Sequence, residues 1–263
     1  MLYIVATPIG NLKDITFRAV ETLKSVDYII CEDTRTSLTL LTAYEIKKPL
    51  FSYHKFNEKE KVGKIIEDLK EGKNIALISD AGMPCISDPG NVLVTACIQN
   101  AVEYTCISGA SAVINAVVLS GISAPFTFIG FIPDKKSEAK KLLEDFKDSK
   151  STLIFYVSPH SLEKTISLLF ENLGDREFVA VREISKKFEE VFHGTLKEGY
   201  GGLVKGEFVL LVKPQKEEVC FELSIEEQLD NYIKSGMEKN EAIKRVAKER
   251  NLKKNEVYKL TIK

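Results

Sequence analysis

Residues 79–90 read SDAGMPCISDPG and follow a short apolar run, Ile75-Ala76-Leu77-Ile78, which has the composition of a buried strand. Two carboxylates (Asp80 and Asp88), two glycines (Gly82 and Gly90) and two prolines (Pro84 and Pro89) fall within these twelve residues. Glycine permits positive φ and close backbone approach, whereas proline fixes φ and removes a donor, so the spacing predicts a rigid loop at a strand end. Open α/β sheets bind ligands outside the carboxyl ends of their strands. Asp80, directly beyond the strand, therefore suits the hydroxyls or amino group of a small polar ligand, against the plainer reading of a tight connection.

Upstream of this loop the same pattern recurs. Residues 2–6 read as a strand ending in the loop Thr7-Pro8-Ile9-Gly10-Asn11, and a helix follows with Asp14 or Thr16 as N-cap and Phe17, Val20 and Leu23 on one face. A strand at 28–31 delivers Glu32, Asp33 and Arg35 to its end, and one at 50–53 leads into Tyr53-His54-Lys55-Phe56-Asn57-Glu58. A helix then buries Val62, Ile65, Ile66 and Leu69 and stops near Gly72. Downstream, Pro89 suits the first turn of a helix through Val92, Val94, Ala96 and Ile98. A strand at 104–107, the small-residue loop 108–112 and a helix through Val113, Ile114, Val117 and Val118 complete the alternation. Strand and helix alternate throughout, which makes the first half α/β with a largely parallel sheet.

Residues 104–133 carry no charge, a length that could span a bilayer, but Gly109, Gly121, Pro125 and Gly130 break the stretch into strand, loop, buried helix and strand. Pro133 and a charged run mark a boundary. Beyond it a helix at 137–148, a strand at 152–157, a helix at 162–170 and strands at 177–181 and 207–212 form a second α/β unit. From Ser224 the chain is helical, and Ala242, Ile243, Val246 and Ala247, a break near Asn251-Leu252, then Val257, Tyr258 and Leu260 have helix-turn-helix spacing. Plain helical packing and RNA contact both account for that spacing. Residues 234–263 hold ten Lys or Arg against four Glu in a chain of net charge −1, so a polyanion contact is placed there. The expected domains are 1–130, 131–220 and a basic helical segment 221–263.

The 263 residues suffice for one large or two modest domains with proper cores. Five scattered cysteines (Cys31, Cys85, Cys97, Cys106, Cys220) argue for a reducing cytosol and against a disulfide frame or zinc site. Three isolated histidines (His54, His160, His193) form no metal cluster, and Met1 leads into a strand without a secretory leader, so a cytoplasmic location without membrane insertion is expected. The sequence has no GxxxxGK[ST] loop, no GxGxxG after the first strand and no nucleophile elbow. The strand-end loops instead supply small, apolar and single acidic positions, a lining that fits a folded, partly apolar cofactor with a few hydrogen-bonding handles.

TPIGNLKDITFRA at 7–19, EDTRTS at 32–37, the loop at 79–90, GFIP at 130–133 and REISKKFEEVFHGT at 182–195 resemble the ribosomal RNA small subunit methyltransferase I family. That family is the 2'-O-ribose branch of the tetrapyrrole methylases, and the resemblance runs in order along nearly the whole chain. It implies two α/β domains with S-adenosylmethionine between them and methylation of a cytidine 2'-hydroxyl in the decoding region of small-subunit rRNA, with the assembled 30S subunit as partner and a homodimer as the working form. The family has PGPSA where this chain has Ser108-Gly109-Ala110-Ser111-Ala112, and ESPHR where it has Val157-Ser158-Pro159-His160-Ser161. The second departure bears on substrate contact more than on the cofactor.

The resemblance places Ile9, Gly10, Asp80, Gly82, Met83, Ser111 and Ala112 on the cofactor, with Tyr156 and Val157 reaching it from the second domain. Met83 as core filling and Ser111 as a helix cap are the plainer alternatives. A ribose hydroxyl is a poor nucleophile near neutral pH, so a positioned base helps; the candidates are Asp33, His54 and Glu58, with Glu32 and Glu183 behind them. Arg35, Lys186 and Lys187 are the candidates for substrate phosphate, against an Asp33–Arg35 ion pair and a solvated lysine face. No resident metal is expected. The alternative functions are a tetrapyrrole or diphthine-type protein side-chain methyltransferase of the same superfamily, or a non-catalytic RNA-binding assembly module.

Overall fold

The structure is a computed structural model. It describes residues 1–123, 125–215, 223–250 and 252–260. Contacts divide the chain into a unit Met1–Gln215 and a unit Lys216–Lys263.

Two five-stranded sheets build the larger unit. The first holds β1 (Leu2–Val5), β2 (Tyr28–Cys31), β3 (Leu50–Ser52), β4 (Ile75–Ile78) and β5 (Tyr104–Ile107) in the order β3-β2-β4-β1-β5. Every pair in it is parallel. Parallel neighbours need crossovers, supplied by helices α1 (Phe17–Ser25), α2 (Thr34–Ala43), α3 (Glu58–Lys70) and α4 (Asn91–Gln99), while α5 (Ala112–Ser120) leads onward. The period of two in β4 sorts the layers. Ile75 and Leu77 pack with α3 and α4, while Ala76 and Ile78 face α1 and α2.

The second sheet holds β6 (Phe126–Phe131), β7 (Thr152–Val157), β8 (Glu177–Arg182), β9 (Glu190–Thr195) and β10 (Phe208–Val212) in the order β6-β7-β10-β8-β9. Only β6 and β7 run parallel; the other pairs are antiparallel. Helices α6 (Lys136–Glu144) and α7 (Leu162–Leu173) cover one face through Leu143, Leu162 and Leu169. The opposite face is covered by the first half of the chain: Val113 and Ala116 of α5, with Ile9, pack on Ile154, Val179 and Leu211. That apolar seam joins both sheets into one unit.

Several elements depart from the expectations. Phe17 is 92% exposed on α1, whose buried residues are Ala19, Thr22 and Leu23, and Thr16 rather than Asp14 provides its cap. In α4 the buried pair is Leu93 and Cys97, four apart as a helix face requires; Val92, Val94, Ala96 and Ile98 are spaced at two, a strand period. On α5, Ile114 and Val118 are exposed and Val113 and Ala116 are buried. The helix α2 and the strand β9 lie where only motifs were read. Residue 130 falls inside β6, and the uncharged stretch resolves into β5, α5 and β6. Among the described residues no helix is long and apolar enough to cross a membrane.

The smaller unit contains α8 (Ile225–Lys234), α9 (Lys239–Glu249) and α10 (Lys254–Leu260). Ser224 and Glu227 form a reciprocal capping box at its start. Leu229, Ala242, Ile243, Val246 and Val257 form its own small core. Asn251, Cys220 and the expected boundary at 220/221 lie outside the described residues.

Candidate active site

The loop after β4 is built as a clasp. Thr7 and Gly82 exchange backbone hydrogen bonds of 2.8 and 3.1 Å, tying the β1 loop to the β4 loop. Thr7 Oγ1 donates to the Ser79 carbonyl at 3.1 Å, and Ser79 Oγ donates to the Gly82 carbonyl at 3.1 Å. Further on, Cys85 (φ 70°) and Ser87 (φ 65°) are left-handed, a conformation that costs a side-chain-bearing residue energy and persists only where the surroundings enforce it. Gly90 completes the turn at φ 138°; a Cβ there would lie 2.5 Å from Cys85 Sγ and 2.8 Å from Leu77 Cδ2. The folded-back loop presents Asp80 at its start and Asp88 near its end.

Topology sets the facing edge. Phe208, the first residue of β10, is opposite both Val157 and Arg182, near the ends of β7 and β8, while Phe131 at the end of β6 is opposite Tyr156. Four strand ends of the second sheet therefore converge on one edge, and a cavity of about 460 Å³ lies between that edge and the loops of the first sheet. Ligand pockets of about 300–1,000 Å³ are typical of small-molecule and cofactor sites. From the first half, Ile9, Asp80, Gly82, Met83, Ser111 and Ala112 line it, and Tyr156 and Val157 do so from the second. Gly10 does not line this cavity; a Cβ on it would lie 2.5 Å from Lys186 Cγ and 2.9 Å from the Ile184 carbonyl, so its smallness lets the two halves approach.

The lining includes the carboxylates Glu32, Asp80, Asp88 and Glu207, and no Lys, Arg or His. Burial, with Glu32 and Asp80 adding to it, pushes the Asp88 carboxyl up to about 6. Burial also raises Asp80, against a hydrogen bond that its Oδ1 accepts from the Asp33 amide at 3.2 Å. Tyr156 is pushed up to about 12 by burial and by Asp88. Glu207 is answered from outside the cavity by Lys186 Nζ at 2.9 Å. Such a lining is hospitable to a cation with apolar parts and hostile to a phosphate.

A second, more open cavity of about 670 Å³ adjoins the first across Ile9, Asp80, Ala81 and Glu207 and is lined by Gly10, Asp33, Arg35, Thr36 and Lys186 among others. Asp33 caps α2 by accepting from the Arg35 amide at 2.8 Å, and Arg35 Nη2 lies 2.6 Å from Asp33 Oδ2. The arginine's hydrogen bonds hold the Asp33 carboxyl down at about 2. Lys186 bridges Glu183 and Glu207, each at 2.9 Å. Lys187 lines neither cavity; its Nζ is 5.6 Å from the ring centre of exposed Phe188. His54 and Glu58 also lie off both cavities: Asn57 holds His54 through its backbone amide at 2.8 Å and its ring Nε2 at 3.1 Å, and Glu58 begins α3.

Some residues have two roles at once. Ser111 caps α5 by accepting from the Ile114 amide at 3.5 Å while also lining the first cavity, and Met83 lines it with its sulfur 3.5 Å from Cys106 Sγ. Sequence reasoning assigned no role to Asp88, Phe131, Phe208 or Val209, all in the lining. For Asp88 the signal was present, since it belongs to the same twelve-residue motif as Asp80. The other three needed the strand register.

The sequence pattern of the Tetrapyrrole (Corrin/Porphyrin) Methylases matches residues 1–199. A Bacillus subtilis (strain 168) protein named ribosomal RNA small subunit methyltransferase I is 46% identical over 270 residues, 98% of this chain and 92% of the relative. Among solved structures, a diphthine synthase superposes with a TM-score of 0.64 at 13% identity, covering 81% of this chain and 89% of that one. The methyltransferase CobJ superposes with a TM-score of 0.62 at 16% identity, covering 81% and 94%. The likeness to these two structures is one of fold.

Proposed function

The chain belongs to the tetrapyrrole methylase family, in the branch of ribosomal RNA small subunit methyltransferase I, and from this premise we propose that it transfers a methyl group from S-adenosylmethionine to the ribose 2'-hydroxyl of a cytidine in the decoding region of small-subunit rRNA. The observation that carries the cofactor assignment is the first cavity: four carboxylates, no basic side chain, and apolar walls that include Ile9, Met83 and Val157. S-adenosylmethionine is a cation with apolar and hydrogen-bonding parts, so it fits this donor set, whereas a nucleotide di- or triphosphate does not. The acceptor assignment rests on the relative's name and its near-complete alignment.

When bound, the cofactor would supply an electrophilic methyl on a positive sulfur, which the acceptor oxygen would take as the S–C electron pair returned to sulfur and the hydroxyl proton passed to a base. The chain's residues have three tasks. Asp80 receives a polar group of the cofactor, while the loops at Ile9, Gly82 and Ser111 hold it against Tyr156 and Val157, so orientation contributes much of the rate. The second cavity takes the acceptor, with Arg35 on its wall, exposed beyond its pairing with Asp33, in position for backbone phosphate, while Lys186 is held by Glu183 and Glu207. A carboxylate accepts the proton. Asp33, held at about 2 by Arg35, is a weak base, whereas Glu32 lines the first cavity directly. The basic helices α9 and α10 add an RNA contact, and a homodimer acting in the cytoplasm on the assembled 30S subunit completes the reading.

Labelled S-adenosylmethionine offered in parallel with purified 30S subunits and naked rRNA, with the product mapped by nuclease digestion, tests it. Label on a cytidine ribose in the subunit is the expected result. Label on neither RNA, with S-adenosylmethionine still bound, overturns the acceptor assignment and leaves the cofactor site standing.

A further inference from the structure

The first cavity contains a carboxylate that the proposed mechanism does not use. Asp88 lines it from the far end of the β4 loop, where left-handed Cys85 and Ser87 hold its backbone and Gly90 fixes the exit. The titratable groups that face it are Glu32 from the end of β2, Asp80 and Cys85 from its own loop, and Tyr156 from β7. None of these is a cation. Of the other carboxylates, Glu207 meets Lys186 at 2.9 Å, and Asp80 accepts the Asp33 amide at 3.2 Å and is the one assigned to a polar group of the cofactor. A positive ligand entering the cavity is therefore the missing counter-charge for Asp88.

We propose that Asp88 reads the charge of the methyl donor, giving up its proton opposite the sulfonium and keeping it opposite the neutral thioether product, so that the pocket distinguishes the two by a proton. The inference rests on the S-adenosylmethionine reading and adds a role for one residue to it. The chemistry follows from the geometry. Burial and the neighbouring acids make the lone carboxylate expensive, which a sulfonium relieves and a thioether does not. Donor binding thus expels a proton from Asp88, while product binding leaves the proton in place. The preference of the pocket for donor over product falls as the pH drops through the titration range of Asp88 and is fully present above it.

Calorimetric titration of the full chain with S-adenosylmethionine and with S-adenosylhomocysteine, each in two buffers of different ionisation enthalpy, counts these protons. At pH 6 the donor should release roughly half a proton per site and the product none, with both counts falling to near zero at pH 8. The ratio of donor to product affinity should fall about tenfold between pH 8 and pH 5. In Asp88→Asn the release should vanish and the ratio should no longer vary with pH. Equal proton counts for the two ligands overturn the proposal, as does a release that persists in Asp88→Asn; should that variant fail to fold, the wild-type comparison decides alone. Donor binding without proton release removes this inference and leaves the cofactor reading intact, whereas failure of both ligands to bind removes both.

Discussion

The two sheets reach the same cavity by different topologies. In the first, all strands point one way, so the loops after β1, β2, β4 and β5 leave from a single edge and bring Ile9, Glu32, Asp80, Asp88 and Ser111 together. In the second, β10 runs against β7 and β8, and the shared edge is made of strand ends whose side chains, such as Val157, Phe208 and Val209, also belong to the hydrophobic clusters. Its one carboxylate in the cavity, Glu207, is neutralised by Lys186. A parallel sheet gathers irregular loops at one edge and so gathers polar chemistry there, whereas an antiparallel edge offers rigid, apolar strand termini. The first edge supplies charge and the second supplies shape.

That division can be broken by substitution. Asp80→Ala, on the first edge, should weaken S-adenosylmethionine binding by about a hundredfold in calorimetry while the fold survives, because it removes a charged partner without touching a core. Normal affinity in this variant ends the division. Gly10→Ala probes the seam: with Lys186 Cγ and the Ile184 carbonyl inside 3 Å of the new methyl, the cost should be about 1–3 kcal/mol of unfolding free energy by denaturant titration. Val157→Ala, on the second edge, should cost about 1–2 kcal/mol of stability yet change donor affinity less than about threefold; the reverse ranking would make the second edge a chemical one.

The smallest effect concerns Asp88 in the absence of ligand. Its carboxyl is raised to about 6 in the folded chain, so the folded state favours the proton, and this contribution to stability, present below the ordinary carboxylate range, is lost as the pH rises through 6. Asparagine cannot ionise. Asp88→Asn should therefore melt alongside wild type at pH 4 and a few degrees above it at pH 8, a gain of about 1 kcal/mol once partial exposure is allowed for. A melting difference independent of pH would assign the effect to packing instead.

What the sequence made legible follows from how local its signals are. The apolar runs of β1, β2 and β4 and the loops beyond them stand out because buried parallel strands are apolar on both faces and their ends are not. The helix α2 stayed hidden because TRTSLTLLTA is rich in β-branched residues and serine, which are weak helix formers; the burial of Ser37, Leu40 and Leu41 against the sheet provides what propensity does not. Only the chain path reveals why Phe17 is outside and Leu23 inside. Asp88 lay in plain view, but its place in the cavity depends on Cys85 and Ser87 adopting a conformation that neither residue favours, which no spacing rule foretells.

The position of β10 in the middle of its sheet has a consequence for synthesis. The chain emerges from the ribosome with β6, β7, α7, β8 and β9 made first, yet β7 and β8 have no bond to each other and wait for residues 208–212 to fill the gap between them. A nascent chain halted earlier holds the motif-bearing loops but two unjoined strand pairs, each with an open edge prone to wrong partners. The last strand of the larger unit to be translated both closes the sheet and, through Phe208 and Val209, closes the wall of the cavity. A chain that ends before residue 208 lacks both the strand that joins the two pairs and that part of the cavity wall.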